Sequence, residues 1–288
     1  MTDKTVPMGS RGAPAARGRL AADLRRLGLR REQDLLVHCS LRRIGPVEGG
    51  AATLLAALRD VAGPRATVVV PAQTAQNSLT SRDFRAAVAG LDEDERVRYV
   101  AAMPGFEPAR TPSYQMGSFA EYLRTRPSAI RSCHPQTSFA ALGPRAGTCT
   151  SVHDLDCHLG DRSPLGWLYD ADAAVLLLGV SYAACTAFHL AEYHLPGLPP
   201  TQTYHCFTSE GGKRIMREFT AVALDDSDFE TLGAALEAVT PAVVRCGRVG
   251  AGSSRMMPVR AAVDFSVCWL ARHRRPSAPG QSLSPCPF

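Results

Sequence analysis

A histidine and a glutamate three residues apart, His189 and Glu192, lie in the stretch T-A-F-H-L-A-E-Y-H at residues 186–194. If this stretch is helical, the two side chains share one face and can reach each other. A histidine oriented by a carboxylate can be a general base, a metal ligand or half of a buried structural pair. Spacing alone favours the structural pair. Cys185, near the same helix start, is a weaker candidate for a nucleophile.

The position of this pair in the sequence favours a functional site. The stretch directly follows A-A-V-L-L-L-G-V at 173–180, which is the strongest apolar run in the chain. Ligands of α/β sheets bind at the carboxyl ends of strands, so a helix that follows this strand is well placed to carry a site. The chain contains no G-x-S-x-G pattern, and serine-hydrolase chemistry is therefore not indicated.

A second segment suits a phosphate group. The sequence V-H-C-S-L-R-R-I-G-P-V-E-G-G at 37–50 places Arg42 and Arg43 before a glycine-rich helix entry. Backbone N–H groups at a helix start and guanidinium groups both favour phosphate. The segment has neither of the common phosphate-binding glycine patterns, so an ordinary connection between a strand and a helix remains the alternative.

A third pair of segments offers hydrogen-bond donors. T-P-S-Y-Q-M-G-S-F at 111–119 is followed by R-S-C-H-P-Q-T-S-F-A-A-L-G at 131–143, in which Pro135 holds the preceding residue extended. Arg131, His134 and Ser138 can each donate a hydrogen bond to a ligand. A polar turn before a strand would give the same pattern, and both interpretations stay open.

A fourth segment, H-D-L-D-C-H-L-G-D-R-S-P-L-G at 153–166, combines histidine, cysteine and carboxylates. The spacing matches no usual zinc pattern and no second Cys/His pair lies nearby, so we predict no metal site. The carboxylates can instead line a pocket for a cationic ligand. The residues weighed and set aside as zinc ligands are His153, Asp156, Cys157 and His158.

Short apolar runs that alternate with amphipathic stretches must position these groups. The apolar runs predict strands at 34–40, 66–72, 137–143 and 173–180, and a hairpin at 203–222 that turns at Gly211-Gly212. The amphipathic or polar stretches predict helices at 49–62, 92–100, 116–126, 186–194, 228–239 and 261–272. No internal repeat or clear linker is visible, and we therefore predict one α/β domain with a mixed sheet.

Composition limits the classes of protein to which the chain can belong. The 288 residues are 45% hydrophobic and 20% charged, as in an ordinary globular protein, and the net charge is +5. No basic stripe with interleaved aromatic residues indicates nucleic-acid binding, and no apolar run is long enough to cross a membrane. The N-terminus lacks a signal-peptide core, so we expect a cytoplasmic protein whose nine cysteines are free thiols. We expect tails rich in Pro, Gly, Ser and Ala at 1–16 and 276–288, flanking a domain at 17–275.

In this order and spacing, the segments resemble the aminoglycoside 3-N-acetyltransferase family from about residue 20 to residue 272. The resemblance implies the fold of the antibiotic N-acetyltransferases, and the chain lacks the pyrophosphate motif of the larger acetyltransferase superfamily. Small residues that depart from the family pattern, at Cys39, Ala72, Cys133 and Cys185, are expected to change the fine shape of the pocket and with it the range of accepted drugs. The matching motifs are H-x-S-L-x-x-I-G-x-V-x-G-G, V-V-P-A-Q-T, T-P-S-Y-Q-M-G, R-S-x-H-P-x-x-S-x-A-A-L-G, G-D-x-S-P-L-G, L-L-L-G-V with T-x-x-H-L-A-E, V-G-A-G-S-S-R and V-D-F-S-V-C-W-L.

The resemblance implies transfer of an acetyl group from acetyl-CoA to the 3-amino group of the 2-deoxystreptamine ring of aminoglycosides, which confers antibiotic resistance. It makes His189 the general base and Glu192 its orienting partner, with no metal required. Thr186 is a further candidate, as a donor to the oxyanion of the reaction. The residues expected to hold acetyl-CoA are Ser40, Leu41, Arg42, Ile44, Gly45, Ser113, Gly117, Arg131, His134, Ser138 and Thr186.

A polycationic substrate needs carboxylates around its amines, and loop position suggests Glu107, Asp154, Asp156 and Asp161. Two alternatives remain: a CoA-dependent transferase that acts on another amine in a biosynthetic pathway, and a non-catalytic protein that binds CoA or a small cation. We expect a monomer or homodimer that binds an aminoglycoside and neither nucleic acid nor membrane.

Overall fold

The fold is built around a mixed sheet whose central strands are unbroken apolar runs. A computed structural model describes residues 13–197 and 199–274. Within these ranges the strands are β1 (Leu35–Cys39), β2 (Val68–Pro71), β3 (Ile130–Arg131), β4 (Phe139–Leu142), β5 (Ala174–Leu178), β6 (Thr201–Glu210), β7 (Lys213–Val222), β8 (Arg245–Val249) and β9 (Gly252–Pro258).

The helices cover both faces of this sheet. In the same described ranges they are α1 (Arg17–Leu27), α2 (Ala51–Ala62), α3 (Arg82–Val88), α4 (Glu93–Ala102), α5 (Ser118–Arg124), α6 (Ala146–Thr150), α7 (Pro164–Asp170), α8 (Phe188–Tyr193), α9 (Phe229–Val239) and α10 (Val259–His273). A turn of 3₁₀ helix at Tyr182–Ala184 precedes α8.

The strands of the described chain form a seven-stranded sheet in the order β3-β4-β2-β1-β5-β9-β8 and a separate β6-β7 pair. β1 runs parallel to β2 and β5, with Leu36 opposite both Val69 and Val175. The remaining pairs of neighbours in this sheet are antiparallel. Central parallel strands are covered on both faces, which is why β1, β2 and β5 are buried throughout and, apart from His38, apolar.

Alternating side chains of β1 and β5 divide the core into two layers. Val37 and Leu176 belong to the cluster that includes α1, α2 and α5. Leu36 and Leu177 belong to the cluster that includes α7, α8, α9 and α10. His38 alternates with Val37 and lies opposite Leu177, so it points toward the layer that contains α8.

The predicted hairpin is confirmed. β6 and β7 pair over ten residues each, from Thr201 opposite Val222 to Glu210 opposite Lys213. The turn needs two residues with positive φ, and Gly211 and Gly212 have φ angles of 57° and 77°. β6 is joined to the segment between β2 and β4, because its carbonyl groups accept hydrogen bonds from the N–H groups of Leu79 and Phe106, both 2.9 Å.

The predicted single α/β domain with a mixed sheet is confirmed, as is each predicted strand and helix, with ends shifted by a few residues. The sequence did not predict the short elements β3, α3, α6 and α7, nor the helix α1. It also missed the hairpin of β8 and β9. β8 contributes R-C-G-R-V, which is mostly exposed and carries no apolar run, so it has no periodic signal of its own.

The predicted tails fall almost wholly outside the described residues. Ala15, inside the predicted N-terminal tail, is buried and donates its N–H to the carbonyl of Pro46 at 2.8 Å. The cysteines of residues 13–197 and 199–274 form no disulfide bond, in line with the expected thiols. None of the helices in these ranges has the length and apolar content that crossing a membrane requires.

Candidate active site

His189 and Glu192 form the hydrogen-bonded pair that their spacing predicts. Nδ1 of His189 lies 2.7 Å from Oε2 of Glu192. A carboxylate only accepts, so Nδ1 carries the hydrogen and Nε2 is left as an acceptor. The His189 side chain retains 14% of its exposure, whereas that of Glu192 retains 3%. The histidine is therefore open on one side and fixed on the other.

The second oxygen of Glu192 is also occupied. Oε1 accepts the N–H of Asp225 at 2.9 Å and lies 2.5 Å from Nη1 of Arg274. Asp225 belongs to the loop before α9, and Arg274 follows α10. Three separate elements thus converge on the one carboxylate that holds the histidine.

His189 opens onto a cavity of about 450 Å³ at the carboxyl ends of β1 and β5. This is the edge at which α/β folds place ligands. Four segments and two single residues supply the cavity wall. The lining residues are Val37, His38, Cys39, Ser40, Arg42 and Arg43; Pro71 and Gln73; Gln115, Met116 and Gly117; Val180, Ala183, Ala184, Cys185, Thr186 and His189; and Asp226 and Phe229. The ring of Phe229 packs against His189, with a centroid distance of 4.6 Å.

His38 also lies on the cavity wall, and sequence reasoning missed it although it stands in the V-H-C-S motif. Only 7% of the residue is exposed, and its Nε2 has no hydrogen-bond partner within the described part of the chain. Burial lowers the pKa of His38 to about 3, because the charged form loses hydration. His38 is therefore a neutral imidazole at the cavity.

The predicted phosphate segment borders the same cavity. Ser40 directly follows β1, and its carbonyl accepts the N–H groups of Arg43 at 2.9 Å and Ile44 at 3.1 Å, which forms a tight turn. Ser40, Arg42 and Arg43 line the cavity, and the two arginines are exposed. The guanidinium groups thus stand at its mouth.

Other members of this segment support it from behind. Ile44 is 1% exposed and packs in the cluster around α1 and α2, and Leu41 packs at the edge of that cluster. Gly45 lies beside the β8–β9 turn, where the N–H of Ala251 donates to Ile44 at 2.8 Å. The side chains of Leu41 and Ile44 point away from the cavity, so they can shape it only through the backbone.

Gly117 lies on the cavity wall, but Ser113 does not. Gly117 has a φ of 86°, and a Cβ there would stand 3.1 Å from the carbonyl oxygen of Cys39, so glycine allows α5 to approach β1 closely. Ser113 donates its N–H and its hydroxyl to Glu121 at 3.0 and 2.7 Å. Its polar groups are used to hold the entry to α5.

Arg131 and Ser138 do not line the cavity, and they bind each other. Nε of Arg131 donates to Oγ of Ser138 at 3.0 Å, and Ser138 donates to the carbonyl of Ala72 at 2.9 Å. The other nitrogens of Arg131 donate to the carbonyls of Ala72, Pro108 and Thr111. Burial lowers the pKa of Arg131 to about 10. This arginine joins loops rather than facing a ligand.

His134 is fully buried against two other histidines, and it does not line the cavity. Its Nδ1 accepts the N–H groups of Gln136 and Thr137 at 3.1 Å each. The ring centroids of His153 and His158 lie 4.7 and 4.6 Å away. Burial, followed by the neighbouring imidazoles, holds the pKa of His134 well below its usual range. We call His134, His153 and His158 the inner histidine cluster.

Both ring nitrogens of His153 are committed within this cluster. Nδ1 lies 2.8 Å from Oγ of Ser132, and Nε2 lies 2.7 Å from the carbonyl of His158. In the described ranges no group of three histidine, cysteine or acidic side chains is arranged to hold a metal ion. The geometry therefore gives no support to the zinc interpretation of this segment.

Thr186 and Cys185 lie on the cavity wall before α8. Burial raises the pKa of the Cys185 thiol to about 12, since a thiolate there would lose its hydration. The thiol thus stays protonated at neutral pH, which disfavours it as a nucleophile. Thr186 is 8% exposed and presents a hydroxyl at the cavity.

None of the four carboxylates predicted to bind the substrate lines the cavity. Glu107 accepts the hydroxyl of Ser209 at 2.8 Å, Asp154 pairs with Arg162, and Asp161 lies 2.7 Å from Nε2 of His194. Asp156 is exposed. The prediction from loop position therefore did not find the carboxylate that the fold places on the cavity wall.

Asp226 is the carboxylate that lines the cavity, and it was missed. It accepts a hydrogen bond from Nη2 of Arg82 at 2.6 Å. The available signal is the run L-D-D-S-D at 224–228, which places three carboxylates directly before a predicted helix. The cavity thus has arginines at its mouth and one carboxylate in the lining that also includes His189.

Comparisons with known proteins show which proteins the chain is similar to. A sequence profile described as aminoglycoside 3-N-acetyltransferase matches residues 36–271. The chain is 34% identical over 283 residues to aminoglycoside N(3)-acetyltransferase VII of Streptomyces paromomycinus, a match that covers 91% of this chain and 95% of that protein. It is 33% identical over 264 residues to YokD of Bacillus subtilis, described as an aminoglycoside N(3')-acetyltransferase-like protein of prophage origin, with 89% and 93% covered.

Solved structures show the same likeness in three dimensions. The crystal structure of YokD superposes with a TM-score of 0.83 at 32% identity, covering 91% of this chain and 95% of that one. The structure of AAC-IIIb with CoASH superposes with a TM-score of 0.76 at 30% identity, covering 90% and 97%.

Proposed function

Because this chain belongs to the aminoglycoside 3-N-acetyltransferase family and is thus an acyltransferase, we propose that it acetylates the 3-amino group of the 2-deoxystreptamine ring with acetyl-CoA as donor. The reaction turns a cationic amine into a neutral amide, which would inactivate the antibiotic. The observation that carries the proposal is the fixed His189–Glu192 pair at a cavity with arginines at its mouth. A cytoplasmic location and a monomeric or homodimeric state stay predictions.

The mouth of the cavity fits the donor. Arg42 and Arg43 are exposed there and suit the phosphate groups of acetyl-CoA, because guanidinium groups match phosphate oxygens in geometry and charge. Gly117 leaves room beside the end of β1. Acetyl-CoA supplies the acetyl group as a thioester. That a solved relative was obtained with CoASH supports this donor.

His189 acts as the general base. An ammonium group of the substrate must lose a proton before its nitrogen can attack a thioester carbonyl carbon. Nε2 of His189 accepts that proton, since Nδ1 donates to Glu192 at 2.7 Å. As the nitrogen–carbon bond forms and the carbon–sulfur bond breaks, the nitrogen loses a second proton. One of the two protons leaves with the thiol of CoA and the other passes to solvent, and the His189 imidazolium returns to its neutral form by releasing the proton it accepted. Glu192 fixes the tautomer and stabilises the imidazolium.

Two neutral donors on the cavity wall can stabilise the oxyanion. The hydroxyl of Thr186 and the imidazole of His38 both lie there. His38 stays neutral at physiological pH, because burial lowers its pKa to about 3, and a neutral imidazole donates one hydrogen bond. No metal is assigned a role in this mechanism.

Asp226 provides the attraction for the cationic acceptor. We assign this role to Asp226 rather than to Glu107, Asp154, Asp156 or Asp161, because only Asp226 among the five lines the cavity. Its carboxylate lies on the wall that also carries His189 and Phe229. A cationic ring bound there would bring an amine toward Nε2.

The test is release of the CoA thiol from acetyl-CoA in the presence of aminoglycosides with and without a free 3-amino group. We expect release only with a free 3-amino group, and NMR of the product should show an amide at that nitrogen. If the CoA thiol is released with another amine but with none of the compounds that contain deoxystreptamine, the result would support the biosynthetic alternative. Absence of release with every acceptor would overturn the enzymatic proposal and favour a binding protein.

A further inference from the structure

We propose that Arg274 is a positioning residue for the reaction and acts on His189 through Glu192. The inference deepens the proposed function and rests on it. Arg274 follows the last residue of α10 and lies beyond residues 36–271, the part of the chain that the family profile matches. The family likeness therefore assigns it no role, and its contacts alone suggest one.

The two oxygens of Glu192 are divided between the histidine and the arginine. Oε2 receives Nδ1–H of His189 at 2.7 Å, and Oε1 receives Nη1–H of Arg274 at 2.5 Å. Oε1 also accepts the N–H of Asp225 at 2.9 Å, and Arg274 adds a charged hydrogen bond to that oxygen, so the carboxylate plane is held toward the imidazole. The orientation of His189 therefore depends in part on Arg274, a residue that follows the last helix of the described chain.

Arg274 is itself held in place. Its Nε and Nη2 donate to the two carboxylate oxygens of Asp228 at 2.7 and 2.6 Å, a bidentate pair. Nη2 also donates to the carbonyl of Asp225 at 2.5 Å. The guanidinium carbon lies 5.9 Å from the centre of the Phe229 ring, which also contacts His189. The arginine thus fastens α10 to α8 and to the loop before α9.

The arginine also compensates a buried charge. Glu192 keeps only 3% of its side-chain exposure, and a buried carboxylate is costly unless it is paired. Burial works against the charge of Arg274, but its hydrogen bonds to Asp228 and Glu192 outweigh this and raise its pKa. Without this positive charge, the His189–Glu192 pair would take up a proton more readily. Less of the base would then be free at a given pH.

Other charged and titratable groups around the pair remain in every variant, so their effect is constant. His158 and Tyr204 interact electrostatically with His189 and Glu192, respectively. The charged groups near the pair are Arg274 after α10, the three carboxylates of Asp225, Asp226 and Asp228 before α9, and Arg82, which forms an ion pair with Asp226. The neutral titratable groups are His158, Tyr204 of β6, and His38 and Cys185 on the cavity wall.

The experiment compares Arg274→Met and Arg274→Lys by kcat/KM over about pH 5–9. We expect Arg274→Met to lower kcat by about 10- to 100-fold and to move the acidic limb of the profile up by about one pH unit. Arg274→Lys keeps the charge but loses the bidentate geometry, so kcat should fall while the limb stays in place. Arg272→Met, exposed on the same turn, is the matched control and should leave both unchanged.

The double variant Glu192→Gln/Arg274→Met tests whether the arginine acts through the glutamate. If it does, adding Arg274→Met to Glu192→Gln should cost little more than Glu192→Gln alone. The inference would be overturned if the losses of kcat from Glu192→Gln and Arg274→Met multiply in the double variant. It would also be overturned if the acidic limb of the kcat/KM profile of Arg274→Met stays where it is in the wild type. Should Arg274→Met fail to fold, Arg274→Lys alone and with Glu192→Gln gives the same comparison. Near-normal turnover of His189→Ala would instead reject the proposed base, which is a distinguishable failure.

Discussion

The His189–Glu192 pair and the inner histidine cluster are two groups of side chains that differ in what surrounds their imidazoles. His189 is partly exposed at a cavity and bonds to the carboxylate of Glu192 at 2.7 Å. In the inner histidine cluster, His134 has backbone N–H groups and other imidazoles as neighbours. Burial lowers the pKa of His158 to about 3 and that of His153 to about 4. These rings are neutral structural parts.

The difference teaches which surroundings make a histidine useful as a base. A base needs an unprotonated nitrogen facing the substrate and a partner that stabilises the imidazolium once the proton has arrived. His189 lines the cavity and bonds to Glu192 through Nδ1, whereas Nδ1 of His134 accepts a backbone N–H group and Nε2 of His134 donates to the carbonyl of Leu155 at 3.2 Å. A place in a recognisable sequence motif, as His134 has, is therefore not sufficient to make a histidine a base.

The largest expected effect separates the two groups by activity. His189→Asn should lower kcat by roughly 10²–10⁴-fold, because no other side chain replaces the general base, while acetyl-CoA still binds. Steady-state rates of thiol release measure kcat, and calorimetry measures donor binding. His194→Asn, at the end of the same helix, is the control and should keep normal turnover. A normal kcat in His189→Asn would mean that His189 is no more important for turnover than the histidines of the inner cluster.

The next effect concerns acid stability. In the inner cluster the folded-state pKa values lie below the ordinary value near 6.5, so the unfolded state binds more protons below that pH. Stability is then fully present above pH 6.5 and lost toward pH 4, at about 1.4 kcal/mol per pH unit for each such histidine. Urea unfolding of His158→Phe at several pH values should show a shallower loss, with near-normal kcat.

The partly exposed His205→Gln serves as the control for this measurement and should keep the steep loss of the wild type. An equally steep loss in His158→Phe would mean that the inner cluster does not govern acid unfolding. A collapse of kcat in His158→Phe at neutral pH, with stability intact, would assign the inner cluster a part in the chemistry.

A smaller effect sharpens the definition of the cavity. Asp226→Asn should raise KM for the aminoglycoside by about tenfold, since a lost charge contact is worth on the order of 1.4 kcal/mol, while KM for acetyl-CoA changes little. Asp156→Asn removes an exposed carboxylate away from the cavity and should leave both constants unchanged. The reverse ranking of these two variants would favour the substrate site predicted from loop position.

The smallest effect lies at the mouth. Arg42→Gln or Arg43→Gln should raise KM for acetyl-CoA by about two- to fivefold, because exposed ion pairs contribute little and are screened by salt. The difference from the wild type should shrink as salt is added, which a salt titration of KM measures. Arg59→Gln, exposed on α2, carries the same charge change as a control. If KM for acetyl-CoA rises equally in all three variants, Arg42 and Arg43 have no specific role in binding the phosphate groups.

The core of the fold could be predicted from the sequence because its elements carry strong local signals. The run A-A-V-L-L-L-G-V reads as a buried strand without knowledge of its neighbours, and Gly211-Gly212 marks a turn. The order of strands could not be predicted, because β9 and β8 join the sheet through pairs such as Leu176 with Met256 that leave no local trace. Exposed β8 also lacks the apolar run by which strands are recognised.

The site was predictable where its parts are close in sequence. His189 and Glu192 are separated by three residues, and their contact follows from helical geometry. Asp226 and Arg274 reach the same place through long-range packing of α9 and α10, which no spacing rule reports. Arg131 and Ser138 stand in a polar motif whose partners turned out to be backbone carbonyls.

Helices α3 and α4 have a consequence for how this protein can diverge in sequence. α3 and α4 pack on a small separate cluster of Phe84, Met103 and Phe207, apart from the two large layers of the core. α3 reaches the cavity through the ion pair of Arg82 with Asp226. Distant substitutions without shared partners combine additively. Mutations in α3 and α4 can therefore change the charge beside the proposed acceptor site while the main core keeps its packing, so substrate range and stability can evolve independently of each other.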